Sequence, residues 1–208
     1  MKVIVFGASG RTGRNIVEQA LGRGYHVTAF IHRTRGLEEY AEKGLQAMQG
    51  DVLVAGDVDR AVAGHDAVLS ALGRSSSRRQ VTFPGTKTIV KAMEKAGVRR
   101  LIVESAFGAG ESAKEMPFLD RFLVRGVLLR SSFRDKDMME RCVEKSSLEW
   151  TIVRPPRLTD GQRRGGYRAG EHIPLSIRSG MSRGDVADFM LDQVEGVEFV
   201  NKMPSVGY

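Results

Sequence analysis

Short apolar runs alternate with amphipathic segments along almost the whole chain. Runs rich in Val, Ile, Leu and Phe predict six strands, over residues 3–6, 26–31, 45–49, 67–72, 100–105 and 150–154. Apolar positions at helical spacing predict helices over residues 11–23, 37–43, 58–63, 86–95 and 118–144, and a last helix from Ser182. Strands that alternate with helices are typical of an α/β fold, a doubly wound parallel sheet with helices on both faces.

The first strand runs directly into a glycine motif. Strand, glycine turn and helix in this order form the opening unit of a dinucleotide-binding, Rossmann-like domain. The first glycine allows a sharp turn, the second lets backbone N–H groups approach a pyrophosphate, and the third lets the helix pack close to the strand. The predicted cofactor contacts in this motif are Gly7, Ser9, Gly10, Arg11, Thr12 and Gly13.

The end of the second strand favours NADP(H) over NAD(H). Arg33 and Arg35 follow it, and no acidic residue occurs before Glu38. An NAD site needs Asp or Glu there to bind the ribose hydroxyls, whereas a guanidinium group matches a 2′-phosphate in shape and charge. Arg11 in the glycine motif could contact the same phosphate.

Further cofactor contacts are expected where the later strands end. Asp51 and Val52 follow strand three and would face the adenine, although a plain turn role for Asp51 is an equal alternative. Leu72 and Gly73 end strand four, where the strand order reverses and ligands bind in this fold. Ser105 ends strand five beside them.

Composition narrows the function classes. The 208 residues predict one domain, and the net charge of +7 is spread along the chain among acidic residues. This distribution favours an anionic cofactor and substrate over nucleic acid. A single cysteine, Cys142, excludes an internal disulfide and a cysteine metal cage, so no metal site is predicted. No apolar run reaches the roughly 20 residues of a membrane span, so we expect a cytoplasmic protein without a membrane partner.

The stretch from residue 155 to 181 differs from the rest because it is rich in glycine and arginine. We interpret it as a substrate-covering segment within the single domain of residues 1–208. The helix after it is predicted to begin at Ser182, which forms a capping-box pair with Asp185.

With these residues assembled, the chain resembles the atypical short-chain dehydrogenases/reductases with an NAD(P)-binding, NmrA-like fold. Within them it is most similar to the flavin reductase and biliverdin-IXβ reductase group. The resemblance extends over nearly the whole chain and rests on the glycine motif, Gly50-Asp51-Val52, Val62-Ala63-Gly64-His65-Asp66-Ala67-Val68, Ser105-Ala106-Phe107, Pro155-Pro156 and Ser182-Arg183-Gly184-Asp185.

The resemblance implies a reductase that passes hydride from NADPH to a planar conjugated acceptor, such as a flavin or a linear tetrapyrrole. It implies a monomer, although a dimer stays open. The nicotinamide would lie near Gly73, Ser105 and Pro155, and Ser105 would be the catalytic residue.

The same resemblance implies a substrate site. Phe107 would shape the acceptor pocket, although core packing is an equal alternative for it. Lys136 and Arg157 occupy positions where the family group has histidines, and both are predicted to contact the substrate. An arginine there could pair with a carboxylate or phosphate of the acceptor but would not act as an acid near neutral pH.

Other activities stay open on the sequence alone. None of the four tyrosines has a lysine four positions later, so the proton relay of the usual carbonyl-reducing enzymes is missing. A non-enzymatic, NmrA-like sensor that binds NADP(H) and reports its level to a protein partner is the main alternative. An isomerase or epimerase is the other, and the missing tyrosine–lysine pair counts against its sugar-specific form.

Overall fold

A computed structural model describes residues 1–32, 40–73, 80–118, 121–176 and 179–208. Its centre is a six-stranded parallel sheet with the order β3-β2-β1-β4-β5-β6. The strands are β1 (Lys2–Phe6), β2 (His26–Ile31), β3 (Gln46–Gln49), β4 (Ala67–Ser70), β5 (Arg100–Glu104) and β6 (Glu149–Val153). The order reverses between β1 and β4, as it does in doubly wound folds. The predicted fold class is confirmed.

Helices cover both faces of this sheet. The α-helices are α1 (Arg11–Gly22), α2 (Ala55–Val62), α3 (Thr82–Ala96), α4 (Arg130–Glu144) and α5 (Arg183–Glu195). Successive side chains of a strand point to opposite faces. Val3 and Val5 of β1 therefore join the core that includes α1 and α5, whereas Ile4 and Phe6 join the core that includes α2, α3 and α4. Because both faces are covered, the central strands contain continuous apolar runs, such as residues 3–6 and 101–103.

The long predicted helix over residues 118–144 is wrong in its first half. The chain instead forms a π-helical segment at Arg121–Leu128 and begins α4 only at Arg130. The amide of Leu129 donates to the carbonyl of Val124 over 2.8 Å, five residues back. No residue of the segment is buried, so no packing against the core holds an α-helix there. A 3₁₀ helix, Gly110–Glu115, precedes it.

The predicted helix over residues 37–43 is not found in its described part. The amides of Lys43 and Gly44 donate to the carbonyls of Tyr40 and Ala41, three residues back, and Gly44 has φ of +89°. This is turn geometry, and residues 37–39 lie outside the described part of the chain.

The stretch 155–181 is tied to the rest of the domain at several points. It contains β7 (Arg157–Thr159) and β8 (Arg168–Gly170); β7 pairs with β9 (Gly180–Ser182), and β8 pairs with the last strand, β10 (Ser205–Gly207). The carboxylate of Asp185 accepts from the amides of Arg164 and Gly165. Ser182 caps α5 as predicted, since its Oγ accepts from the amide of Asp185 over 3.0 Å. The substrate-covering role stays a prediction.

Candidate functional site

The glycine loop between β1 and α1 is so close to its neighbours that side chains would not fit. Gly7 has φ of +78°, and a Cβ there would lie 2.5 Å from the carbonyl oxygen of Ala71. A Cβ on Gly13 would lie 2.1 Å from the carbonyl oxygen of Gly7. The amide of Gly10 donates to the same Gly7 oxygen over 2.9 Å. The loop therefore folds tightly against the end of β4, at the crevice where the strand order reverses.

The N-terminus of α1 is suited to an anion. Gly10 is its N-cap and supplies no side-chain hydrogen bond, and the first turn contains no acidic residue. The first-turn N–H groups and the helix dipole therefore present positive potential that no side chain of the cap neutralises. The cradle suits a pyrophosphate, because a side chain on Gly7 or Gly13 would meet backbone atoms and the first N–H groups of a helix have no acceptor within it.

Residues from the predicted adenine side also meet at the crevice. Side-chain atoms of Val52 and Leu72 lie 3.1 Å and 3.0 Å from the position a Cβ on Gly85 would occupy. Gly73 is exposed, with open space around its Cα. Asp51 uses one carboxylate oxygen in a local turn, because its Oδ1 accepts from the amide of Leu53 over 2.9 Å. The turn role that the sequence offered for Asp51 is thus present, and its adenine contact stays a prediction.

The arginines predicted to read a 2′-phosphate are only partly described. Arg33 and Arg35 lie outside the described residues. Arg11 is exposed and donates to Asp160 over 2.8 Å, and Arg183 donates to the other oxygen of Asp160 over 2.5 Å. The glycine loop is therefore linked to the stretch 155–181 by an exposed ion pair, which is weak in water.

A buried ion pair lies behind the end of β5. Arg154 donates two hydrogen bonds to Glu140, from Nε to Oε1 over 3.1 Å and from Nη2 to Oε2 over 2.7 Å. The hydroxyl of Ser105 donates to the same Oε1 over 2.5 Å. All three side chains are buried. The hydroxyl of Ser105 thus donates into the interior, and its direct contact with the nicotinamide or the acceptor stays a prediction.

Lys136 is held at the edge of this cluster. Its Nζ donates to the carbonyl oxygen of Ser105 over 2.9 Å, and its side chain is partly buried. Burial lowers the pKa of Lys136, while the carboxylates of Glu104, Glu140 and Asp135 oppose that shift. An amine in this setting is both a cation and a proton donor close to the end of β5, which suits chemistry at the crevice.

Glu104 is a buried carboxyl beside the glycine loop. Its side chain contacts Thr12 of the first turn of α1, whose hydroxyl donates to Oε1 over 3.3 Å. Burial raises the pKa of Glu104, and the nearby charges of Lys136 and Arg183 act in the opposite direction. Sequence reasoning missed this residue, although its place directly before Ser105 at a strand end was a signal.

We expect Glu104→Gln to change how stability depends on pH. A carboxyl whose folded pKa is raised above its ordinary 4.5 favours folding below that value, and this contribution is lost as pH rises through the folded pKa. Between about pH 5 and pH 8, the free energy of unfolding should therefore fall more in the wild type than in Glu104→Gln. Urea unfolding at the two pH values measures the difference.

Glu111→Gln is the matched control for that experiment. Glu111 is exposed, and Lys114 holds the pKa of its carboxyl below the ordinary range. Its contribution to stability is lost only as pH falls below that range. Glu111→Gln should follow the wild type between about pH 5 and pH 8, and a Glu104→Gln variant that did the same would contradict the prediction.

Two predicted substrate contacts, Phe107 and Arg157, differ in their exposure. Phe107 is 1% exposed, and its amide donates to the carbonyl of Pro155 over 2.8 Å, so its ring is part of the interior. Arg157 is exposed on β7, beside Gly180. The core-packing role that the sequence offered for Phe107 is present, and the contacts of Phe107 and Arg157 with the acceptor stay predictions.

Within the described ranges, no group of three or more His, Cys, Asp or Glu side chains is placed to hold a metal ion. None of the helices described is both long enough and apolar enough to cross a lipid bilayer.

Comparison with known proteins agrees with this architecture. The family described as NAD(P)H-binding matches residues 7–196. The uncharacterised protein YwnB of Bacillus subtilis is 26% identical to this chain over 211 aligned positions, which cover 97% of this chain and 96% of YwnB.

Solved structures show the same fold. ChuY, an anaerobilin reductase from Escherichia coli O157:H7, superimposes with a TM-score of 0.85 at 23% identity, over 100% of this chain and 97% of ChuY. A short-chain dehydrogenase/reductase from Veillonella parvula, solved in complex with NADP, has a TM-score of 0.83 at 20% identity, over 100% of this chain and 94% of the other. At this identity the likeness concerns the fold.

Proposed function

Because the chain belongs to the NAD(P)H-binding family, we propose that it is an NADPH-dependent reductase of a planar conjugated acceptor, such as a flavin or a linear tetrapyrrole. The observation that carries the proposal is the joint position of an uncapped helix N-terminus at the glycine loop and a partly buried lysine at the end of β5. When bound, NADPH supplies the hydride. The anaerobilin reductase ChuY and the NADP complex among the similar structures support the proposal.

In this proposal, different groups of the chain bind the parts of the cofactor and position it against the acceptor. The glycine loop and the first turn of α1 bind the pyrophosphate, and Arg11, Arg33 and Arg35 bind the 2′-phosphate. Val52 and Leu72 form an apolar wall at the crevice. Most of the rate then comes from holding two flat rings against each other, because a conjugated acceptor spreads the incoming charge by itself.

We assign two roles to Lys136, the stabilisation of negative charge and the donation of a proton. Its Nζ lies at the carbonyl of Ser105, just after the end of β5, and from there it would stabilise negative charge on the reduced acceptor and give it a proton. Ser105 becomes a positioning residue, since its carbonyl holds Lys136 and its hydroxyl holds Glu140. Arg157 is exposed on β7 and could pair with an anionic group of a long acceptor.

The test is turnover with named acceptors. We expect loss of NADPH absorbance when the protein is mixed with free flavin or with biliverdin, and much slower loss with NADH. Lys136→Met should lower kcat/KM about tenfold or more while NADPH still binds. Lys91→Met, at an exposed position on α3, is the control and should keep full activity. Tight NADPH binding without turnover of either acceptor would contradict the proposal and favour the sensor.

A double variant tests the cofactor assignment separately. Arg33→Ala with Arg35→Ala should weaken NADPH binding and leave NADH binding nearly unchanged, because only NADPH has the 2′-phosphate. Equal affinity of parent and variant for NADPH would show that these arginines do not read the phosphate.

A further inference from the structure

Several large apolar side chains are exposed in the short stretch of chain before α4. Phe118 and Leu128 are 74% and 73% exposed, Val127 is 60% exposed, and no residue of Arg121–Leu128 is buried. We name Phe118 together with residues 121–134 the arginine–phenylalanine surface. Single exposed apolar residues are normal on proteins, but a contiguous apolar patch marks an interaction site.

The same surface is strongly basic. Residues 121–134 contain four arginines and no acidic residue. Arg125 pairs with Asp137 of α4, and the guanidinium of Arg121 lies 5.9 Å from the ring centre of Phe118. Apolar and cationic groups therefore alternate on one exposed segment, and the partner must offer both an apolar phase and negative charge.

The surface also has a concave part. An open groove of about 590 Å³ lies between the rings of Phe118, Phe122 and Phe133 and the side chains of Arg130 and Arg134, and Asp137, the partner of Arg125, also lines it. Its walls combine aromatic rings with guanidinium groups that can bind phosphate oxygens. A groove of this kind can receive a phosphate headgroup while neighbouring apolar side chains enter the acyl region.

A second copy of the chain fits this surface poorly. In a two-fold contact the same patch faces itself, so Arg121, Arg130 and Arg134 would face the same arginines of the other copy, and like charges across an interface are costly. A bilayer that contains anionic lipids has the complementary composition. Its headgroups attract arginines, and exposed Phe, Leu and Val side chains gain free energy by entering the boundary of the acyl chains.

We propose that the arginine–phenylalanine surface docks the protein on anionic lipid bilayers. The sequence predicted no membrane partner because no segment is long enough to span a bilayer; surface docking needs only an exposed amphipathic segment. The segment lies directly before α4, which carries Lys136, so docking would bring the end of β5 near the lipid surface. The proposal does not depend on the reaction catalysed.

Vesicle sedimentation tests the docking. The probes are phosphatidylcholine vesicles with and without about one third phosphatidylglycerol. The wild type should sediment with the mixed vesicles, much less with pure phosphatidylcholine, and less in high salt. Phe122→Ser with Leu128→Ser should lower the partition coefficient for mixed vesicles about tenfold or more. Val197→Ser, which changes an apolar side chain that is 83% exposed elsewhere, should leave it unchanged.

A charge variant and a fluorescence variant complete the test. Arg121→Gln with Arg130→Gln should also weaken binding to the mixed vesicles, whereas Arg60→Gln, at an exposed position on α2, should not. Phe122→Trp should show a blue shift with mixed vesicles, because its indole enters an apolar phase while the native Trp150 is buried already.

The proposal is overturned if the wild type stays in the supernatant with mixed vesicles. It is equally overturned if binding survives the Phe122 and Leu128 substitutions, which would show simple charge attraction by the whole basic protein. A wild-type dimer in solution that these two substitutions convert to a monomer would assign the surface to a second copy instead.

Discussion

Replacing Gly13 with alanine is expected to disrupt the glycine loop and to abolish most dinucleotide binding. The new Cβ would lie 2.1 Å from the carbonyl oxygen and 2.7 Å from the carbonyl carbon of Gly7, and both are backbone atoms that no rotamer change can move. Helix α1 must therefore shift away from β1. We expect a loss of about 3 kcal/mol or more in the free energy of unfolding, and an NADPH affinity lower by about a hundredfold.

The control for this variant is in the same helix. Gly22 ends α1, and a Cβ there meets no atom within 4 Å. Gly22→Ala should leave NADPH binding unchanged and should stabilise the protein by up to about 1 kcal/mol, because alanine is the better helix former. Chemical unfolding and NADPH titration of both variants compare the two sites. A Gly13→Ala variant with wild-type stability would refute the close contact.

Removing one partner of the buried Glu140–Arg154 pair is expected to have a similarly large effect. Glu140→Gln leaves the guanidinium of Arg154 without its counter-charge in the interior, where both side chains are buried. Such a change costs about 3 to 5 kcal/mol. Ser105 would keep an oxygen acceptor on the glutamine, so activity measured under folding conditions should fall less than stability.

A double-mutant cycle separates the interaction energy of the Glu140–Arg154 pair from the cost of leaving one of its charges buried alone. Arg154→Met with Glu140→Leu removes both charges, and its loss of stability should be much smaller than the sum of the single losses. Glu149→Gln, which breaks the exposed pair with Arg99, should cost less than about 1 kcal/mol. Additive single losses at Arg154 and Glu140 would show that the two side chains are not coupled.

Much of the site's framework could be predicted from neighbouring residues alone. The order of strand, glycine turn and helix at residues 2–22 depends on which residues allow a tight turn between the two elements. The structure shows this order as predicted. The capped start of α5 at Ser182 is equally local. The six strands were predictable because a strand buried on both faces of a sheet appears in the sequence as an apolar run. The ends of the observed strands differ from the predicted ends by up to two residues.

Contacts between distant parts of the chain were not predictable in this way. Ser105 meets Glu140, and Arg11 meets Asp160, across 35 and 149 residues of sequence. Lys136 and Glu140 are four positions apart on α4 and share one side of the helix, a spacing that could have indicated a joint role. No signal in the neighbouring sequence indicates that Arg154 is the counter-charge of Glu140.

The sequence by itself therefore determined the parallel sheet, the cofactor cradle and the start of α5, because each depends on apolar periodicity, glycine and caps within a few residues. Only the tertiary structure decided that the Ser105 hydroxyl faces Glu140 and that Phe107 belongs to the interior. It also decided that the helix predicted from residue 118 becomes an exposed π-helical segment. The physical reason is that burial and charge pairing depend on which elements pack together, and a helical pattern with no core to cover it lacks the contacts that stabilise an α-helix.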